Sequence, residues 1–312
     1  MSKQYKRIML GRKSANAADG ITGGFICAGF LFHLDLTGKF PDEWRDFNKE
    51  YIPIFLHQNP EKSKVAAGLT CWMLHTICKG LKKGDIVMTP DIDGNYHFGE
   101  VTGDYFYDVS YELPHKRLVH LFENTVHRSE LTEGLQNSVG SIGTVSTVDK
   151  HAEEIEAIIG NRKAPVLAIA DETIEDPSVF ALEKHLEDFL VANWAQTPLG
   201  QTHDIYSEDG EIIGQQYPSD TGPIDILAIS KNGAELLVVE LKKGCASDNV
   251  IGQVQRYMGC VLSELVEEGQ TVHGAIIALE QDKRIEQALK VAPNIDFYRY
   301  TVRFDLHKAN GV

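Results

Sequence analysis

Asp225, Glu240 and Lys242 interrupt the apolar pattern of the stretch PIDILAISKNGAELLVVELKK, which covers residues 223–243. The dipeptide Asn232-Gly233 is typical of a two-residue hairpin turn, so the flanking segments predict two antiparallel strands. Asp225 and Glu240 would then lie at the same level of the sheet. Glu240 and Lys242 are two residues apart and would point to one face. The pattern predicts two carboxylates and one ammonium at a single place.

This cluster favours a site for a hard divalent cation. Carboxylate oxygens suit Mg²⁺ or Mn²⁺, and the backbone carbonyl of Leu241 is a further candidate ligand. Lys242 would position an attacking water or stabilise negative charge that develops on a phosphate. The alternative is a solvated strand face on which Asp225 and Lys242 form an ordinary ion pair. A carboxylate without a partner inside PIDILAI would be costly, which favours the metal site.

The elements around this hairpin predict an α/β domain with a mixed sheet over residues 178–312. The apolar run at 234–242 is nearly continuous, which predicts a central strand covered on both faces. The predicted helices are 178–194, 247–269 and 282–292, and the predicted strands are 211–217, 223–230, 234–242, 273–280 and 295–306.

The spacing Asp-x(14)-Glu-x-Lys on a hairpin, followed by a helix, resembles the PD-(D/E)xK nuclease superfamily. Residues 178–308 most resemble its branch of NucS-like and Mrr-type restriction endonucleases, whose Q-x-x-R-Y element matches Gln253, Arg256 and Tyr257. The resemblance implies a phosphodiesterase with Mg²⁺ (or Mn²⁺) as cofactor. The implied catalytic residues are Asp225, Glu240, Lys242 and Gln253, the implied metal ligands are Asp225, Glu240 and Leu241, and Arg256 would contact nucleic acid.

The superfamily's first helix often supplies another acidic residue, for which Glu183 and Glu187 are the candidates. Each is also open to interpretation as a plain surface charge. Asp220 precedes the strand and is a weaker candidate. Relatives often carry a basic residue where this chain has Cys245, which would weaken phosphate contact but leave the metal site intact.

Residues 1–150 predict a compact β-rich domain with one or two helices. Residues 151–177 predict a connector, and the segment 149–159 predicts a helix that ends the first half. Segments 23–30 and 83–108 resemble the N-terminal domain of some Mrr-like restriction proteins, a PUA/EVE-like β-barrel. This resemblance implies a recognition domain in which rings stack on a base and cations contact phosphate. The candidates are Phe25, Phe30, Trp72, Tyr105, Tyr107, Lys116 and Arg117. The alternative places Phe25, Phe30 and Trp72 in the core and the cations on a solvated face.

Composition limits the classes of function. The net charge of -15 argues against a protein that coats nucleic acid through bulk charge. The lack of a long apolar run and the polar start predict a cytoplasmic protein without a membrane segment. The five cysteines predict free buried thiols rather than disulfides or a zinc site.

The sequence therefore predicts a metal-dependent DNA endonuclease of restriction type. A more specific form of this prediction is an enzyme directed to modified DNA. A single site cuts one strand, so double-strand cleavage predicts a homodimer or sequential nicking. Two alternatives stay open: a NucS-like mismatch or branched-DNA repair nuclease, and a catalytically silent nucleic-acid-binding protein. The Mrr-like first half favours restriction over repair, and the intact charged cluster argues against a silent site.

Overall fold

The computed structural model describes residues 3–140, 143–160 and 186–301. The chain divides into two units, Met1–Ala170 and Asp171–Val312. Each unit has its own sheet and its own buried apolar clusters, so the fold is α+β with two mixed sheets.

The first unit contains a six-stranded sheet with the order β2-β5-β4-β3-β1-β6. Strands β1 and β3 pair in parallel, and the other neighbours pair antiparallel. The PUA/EVE-like barrel stays a prediction. The strands are β1 (Tyr5–Ile8), β2 (Phe25–Ala28), β3 (Ile86–Pro90), β4 (Asn95–Tyr107), β5 (His115–His127) and β6 (Val145–Thr147).

The described residues of the first unit form more helices than the one or two that the sequence predicts. They are α1 (Ala17–Gly23), α2 (Trp44–Gln58), α3 (Lys64–His75), α4 (Glu133–Ser138) and α5 (Ala152–Ile159), and Thr76–Gly80 adds a π-helical turn after α3. In α2 the buried Phe47, Tyr51 and Phe55 recur every four residues, but Pro53 interrupts the sequence signal. Helices α2 and α3 bury their apolar faces in one core cluster of this unit.

Helix α5 packs on the first unit. Tyr5 Oη donates to Glu156 Oε1 over 2.7 Å, and Asn124 Nδ2 donates to the carbonyl of Ile158 over 2.9 Å. The connector predicted at 151–177 therefore begins with a helix that belongs to the first core, while residues 161–177 lie outside the described residues.

The second unit contains a sheet with the order β10-β11-β12-β13-β14, and β7 also pairs with β11. The strands are β7 (His203–Ile205), β8 (Ser207–Glu208), β9 (Glu211–Ile212), β10 (Gln215–Tyr217), β11 (Ile224–Ser230), β12 (Glu235–Ala246), β13 (Thr271–Gln281) and β14 (Ile295–Arg299). The helices are α6 (186–192), α7 (Pro198–Thr202), α8 (Asn249–Glu264) and α9 (Lys283–Leu289). The strand predicted at 211–217 is divided into β9 and β10.

Strand β12 is central and covered on both faces, as its apolar run predicts. On one face Leu237, Val239 and Leu241 share a cluster with Leu186 and Leu190 of α6. On the other face, Val238 lies beside Gly274 of β13 in the parallel register. A Cβ atom on Gly274 would lie 2.7 Å from Val254 Cγ1 and 2.9 Å from Met258 Sδ of α8. The glycine thus allows α8 to approach the sheet closely.

All five cysteines are free thiols, as predicted, but they are not all buried. Cys27, Cys71, Cys78 and Cys260 are buried, whereas Cys245 is exposed beside an irregularity in the pairing of β12 with β13. Within the described residues, no helix has the length and apolarity that crossing a membrane requires.

Candidate active site

The β11–β12 hairpin brings Asp225 and Glu240 to the same level. The last registered pair is Ile226 with Val239, and Asp225 and Glu240 are the next residues outward on each strand. Beyond that pair the strands no longer exchange regular hydrogen bonds. Instead, the backbone N–H of Leu241 donates to Asp225 Oδ2 over 2.8 Å. The carboxylate of Asp225 is therefore held against the outer end of the hairpin.

The Leu241 carbonyl faces the same side of β12 as this contact. The N–H and C=O of one extended residue point toward the same neighbouring strand. Since the N–H of Leu241 reaches Asp225, its carbonyl oxygen is directed to the Asp225 side of the strand. The backbone thus offers the oxygen that the sequence nominates as a ligand.

Glu240 and Lys242 form a close ion pair at this end of the sheet. Lys242 Nζ lies 2.7 Å from Glu240 Oε1, and their side chains are 34% and 3% exposed. A buried carboxylate is costly unless it is paired or bound to a cation. The pair places an almost fully buried carboxylate beneath a lysine that reaches solvent.

Helix α8 covers the face of the sheet that carries Glu240. Gln253 Nε2 donates to Tyr257 Oη over 3.1 Å. Burial raises the pKa of the Tyr257 phenol, and the carboxylates of Glu240 and Asp225 raise it further. Tyr257 therefore lies near enough to these carboxylates to be affected by their charges, and it holds Gln253 by a hydrogen bond. Arg256 is exposed on the same helix.

Glu187 of α6 joins the cluster through two glutamines of β10. Gln215 Nε2 donates to Glu187 Oε1 over 2.8 Å, and Gln216 Nε2 donates to Glu187 Oε2 over 2.7 Å. Gln216 Nε2 also lies 3.2 Å from Asp225 Oδ1. Burial raises the pKa of Glu187 to about 7, against the lowering effect of the Gln215 hydrogen bond. Glu183, the other candidate acid, lies outside the described residues.

The donor set fits Mg²⁺ or Mn²⁺. Asp225 and Glu240 supply carboxylate oxygens and Leu241 supplies a carbonyl, and an all-oxygen set with few carboxylates is what Mg²⁺ uses beside substrate phosphates. Over residues 3–140, 143–160 and 186–301, no three His, Cys, Asp or Glu side chains form a metal-binding group.

The rings predicted to stack on a base lie mostly inside the first unit. Phe25 is buried in a core cluster, and Phe30 and Trp72 pack against that cluster. Tyr105 Oη lies 2.9 Å from His115 Nδ1 and accepts from the backbone N–H of Leu36 over 3.3 Å. For Phe25, Phe30 and Trp72, the core interpretation describes their positions better than a base-binding one.

Tyr107, at the end of β4, has its hydroxyl bound to the carbonyl of Phe32. Its phenol thus fastens the segment after β2, and its ring centroid lies 5.3 Å from that of His115.

The structure also buries the cations predicted to contact phosphate. Lys116 is 1% exposed, and its Nζ lies 2.8 Å from the ring centroid of Tyr111 and 4.0 Å from that of Phe25. Arg117 is 5% exposed and donates to the carbonyls of Gly103 and Cys78 over 3.1 Å each. The positions of both argue against surface contacts with phosphate, because ring faces and Asp108 surround the Lys116 ammonium and carbonyls accept from Arg117 inside the unit.

Sequence reasoning did not single out Gln215 and Gln216 and left Tyr257 out of the catalytic set. Tyr257 carries a readable signal, since Gln253 and Tyr257 are four residues apart and share one face of a helix. Gln215 and Gln216 carry none, because their role depends on where α6 lies and on an unusual backbone conformation.

No family model matches the chain, and no curated protein matches it. Among solved structures, it is similar to a repair endonuclease from Pyrococcus abyssi, with 15% identity, a TM-score of 0.30, and coverage of 70% of this chain and 79% of that one. An EndoMS–dsDNA complex has 14% identity, a TM-score of 0.32 and coverage of 68% and 64%. EndoMS in apo form has 14% identity, a TM-score of 0.28 and coverage of 72% and 80%. Values of this size do not establish a common function.

Proposed function

We propose that this chain is a metal-dependent DNA endonuclease of the PD-(D/E)xK type that hydrolyses phosphodiester bonds at the β11–β12 hairpin. The observation that carries the proposal is the level arrangement of Asp225 and Glu240, with Lys242 Nζ 2.7 Å from Glu240 Oε1. A buried carboxylate, a second carboxylate opposite it and a solvent-reaching ammonium are the groups that a cation–phosphate site needs.

Asp225, Glu240 and the Leu241 carbonyl would hold the cation. When bound, Mg²⁺ supplies charge neutralisation at the phosphate and acidifies a water. Each carboxylate oxygen has more than one lone-pair site, so the hydrogen bonds at Asp225 Oδ1 and Oδ2 leave acceptor capacity for a cation. The Leu241 N–H fixes the direction of the Asp225 carboxylate.

Lys242 acts on the substrate side of this site. Its ammonium is anchored by Glu240 yet partly exposed, so it can orient the attacking water or bind a phosphate oxygen as negative charge grows. Gln253, held by Tyr257, orients the same region from α8. Arg256 is exposed and available to bind the DNA backbone.

Restriction and repair are the two candidate biological roles of such a nuclease. A restriction enzyme directed to modified DNA would need a base-reading pocket in the first unit. The candidate residues for such a pocket instead pack in the interior of that unit, and they include Phe25, Trp72, Lys116 and Arg117. This reduces the support for modified-base recognition and leaves the nuclease proposal unchanged. Repair of mismatched or branched DNA therefore stands beside restriction as a proposal.

A panel of DNA substrates tests the proposal. The intact chain would be incubated in Mg²⁺ or Mn²⁺ with unmodified, cytosine-methylated and adenine-methylated plasmid, and with mismatched, branched and fully paired duplexes. Cleavage that stops on chelation supports the nuclease. Preference for a methylated plasmid supports modification-dependent restriction, and preference for a mismatch or branch supports repair. DNA binding without cleavage of any substrate in either metal would contradict the proposal and favour a silent DNA-binding protein.

A second measurement tests whether the protein cuts DNA as a homodimer or as a monomer. Linear products formed in one binding event predict a homodimer with two sites, whereas nicked circles that accumulate first indicate a monomer acting sequentially. Sedimentation of the protein with and without DNA separates these cases.

A further inference from the structure

Gln216 contacts two carboxylates with one amide group. Its Nε2 lies 2.7 Å from Glu187 Oε2 and 3.2 Å from Asp225 Oδ1. The amide nitrogen of glutamine carries two N–H donors, so it can donate to both acids at once. The opposite amide orientation would turn a carbonyl oxygen toward two carboxylates, and it is disfavoured by repulsion.

The backbone at Gln216 makes this double contact possible. In a regular strand, consecutive side chains point to opposite faces. Gln215 pairs with Ile226 and faces the α6 side, where it binds Glu187 Oε1. Gln216 would then face only the Asp225 side, but its φ of 51° places it in the left-handed region. Consecutive glutamines thereby reach the same Glu187 carboxylate, and Gln216 spans from α6 to the hairpin.

Holding a residue other than glycine in this region costs about 1 kcal/mol or more. The surrounding structure maintains it at a position next to the candidate site, on β10, which ends the strand order β10-β11-β12-β13-β14. Strain retained at such a position is typical of functional sites.

We infer that Gln216 is a positioning residue that clamps Asp225 to Glu187 of α6 and so holds the Asp225 carboxylate in its direction at the candidate cation site. Two nearby carboxylates repel, and the amide offsets this repulsion by donating to both. The inference rests on the proposed function. It gives Glu187 an indirect role through Gln216, whereas the contacts of Gln215 are with Glu187 and Asp188 of α6.

Mn²⁺ affinity of the DNA-free protein, measured from the electron paramagnetic resonance signal of free Mn²⁺, tests the clamp independently of catalysis. Gln216→Gly removes the amide and relieves the backbone strain, whereas Gln216→Met removes the amide at similar length and keeps the strain. Loss of a residue that orients metal ligands typically costs 10- to 100-fold in metal affinity, so we expect a weakening of about that size in both variants. Gln215→Ala is the matched control, because it removes contacts to Glu187 and Asp188 and leaves the contact of Gln216 with Asp225 in place.

A smaller effect of Gln215→Ala than of either Gln216 variant supports the clamp. The clamp is overturned if Gln216→Gly and Gln216→Met bind Mn²⁺ and cut DNA as the intact protein does, or if Gln215→Ala weakens Mn²⁺ binding equally. If the intact protein binds no Mn²⁺, the proposed function and the clamp fail together, and this result differs from either outcome that concerns the clamp alone.

Discussion

The backbone N–H of Leu241 donates a hydrogen bond to Asp225 Oδ2 over 2.8 Å, at the point where β11 and β12 stop pairing regularly. A side chain of one strand thus takes the place of the next backbone hydrogen bond of the ladder. This fixes the direction of the Asp225 carboxylate, and it explains why an acid rather than an apolar residue stands inside the run PIDILAI.

This contact predicts that two substitutions at Asp225 differ in their effect on stability. Asparagine retains an oxygen that accepts from the Leu241 N–H, whereas alanine leaves that N–H without its acceptor. We expect Asp225→Asn to weaken Mn²⁺ binding at least about tenfold, near 1.4 kcal/mol, with little change in stability. Asp225→Ala should weaken Mn²⁺ binding and also lower the free energy of unfolding by about 1 kcal/mol. Titration calorimetry and urea unfolding measure the two quantities, and equal stability of both variants would contradict the account.

The Lys242–Glu240 pair predicts an energetic coupling. Lys242→Met leaves the buried Glu240 carboxylate without its nearest ammonium, so we expect a loss of about 1–3 kcal/mol in unfolding free energy. In a Glu240→Gln background the same substitution should cost less, with a coupling of about 1 kcal/mol or more. Lys231→Met, at an exposed lysine in the hairpin turn, is the control and should be nearly neutral. Additive effects in the double variant would show that the ion pair does not stabilise the fold.

Gly274 determines how closely α8 approaches the site. A Cβ atom there would lie 2.7 Å from Val254 Cγ1, so we expect Gly274→Ala to displace α8 and cost about 1–3 kcal/mol in stability. The displacement should also lower cleavage, since α8 carries Gln253 and Tyr257. Gly259→Ala on the same helix meets no atom within 4 Å and should gain up to about 1 kcal/mol. Thermal unfolding of both variants checks the contrast, and a Gly274→Ala protein as stable as the parent would refute the close packing.

Glu187 predicts a pH dependence of stability in the metal-free protein. Its pKa is raised to about 7 from an ordinary value of 4.5, so the folded state binds the proton more tightly than the unfolded state. The resulting stabilisation is fully present below pH 4.5 and is lost as the pH rises to about 7. Glu187→Gln, which is neutral at every pH, should therefore gain stability over the parent by about 1–2 kcal/mol between pH 5 and pH 8. Urea unfolding at the two pH values measures this difference, and a pH-independent difference would count against a protonated Glu187.

The sequence predicts the charged residues of the hairpin site, but it does not predict the residues of β10 and α6 that contact them. Asn232-Gly233 and the period of two along a strand are local signals, and they suffice to place Asp225, Glu240 and Lys242 together. Gln216 gives no such signal, because its two contacts depend on a left-handed φ and on the position of α6. These are properties of the folded unit and not of the neighbouring sequence.

In the first unit, the structure places two cations where the sequence does not predict them. Lys116 and Arg117 are charged, and charged residues are mostly exposed, so the sequence favoured surface contacts with phosphate. In the fold, the rings of Tyr111 and Phe25 surround the Lys116 ammonium, and two carbonyls accept from Arg117. Cations of this kind are held by tertiary contacts that a single sequence does not reveal.

The most direct test of the central claim is cleavage of supercoiled plasmid by the intact chain and by Asp225→Asn in Mg²⁺, with chelator added to a parallel sample. The account predicts that the intact chain nicks or linearises the plasmid, that chelation stops this, and that Asp225→Asn is slower by roughly three orders of magnitude, about 4 kcal/mol in activation free energy. Equal cleavage by both proteins, or cleavage that persists in chelator, would contradict a cation site at Asp225 and Glu240.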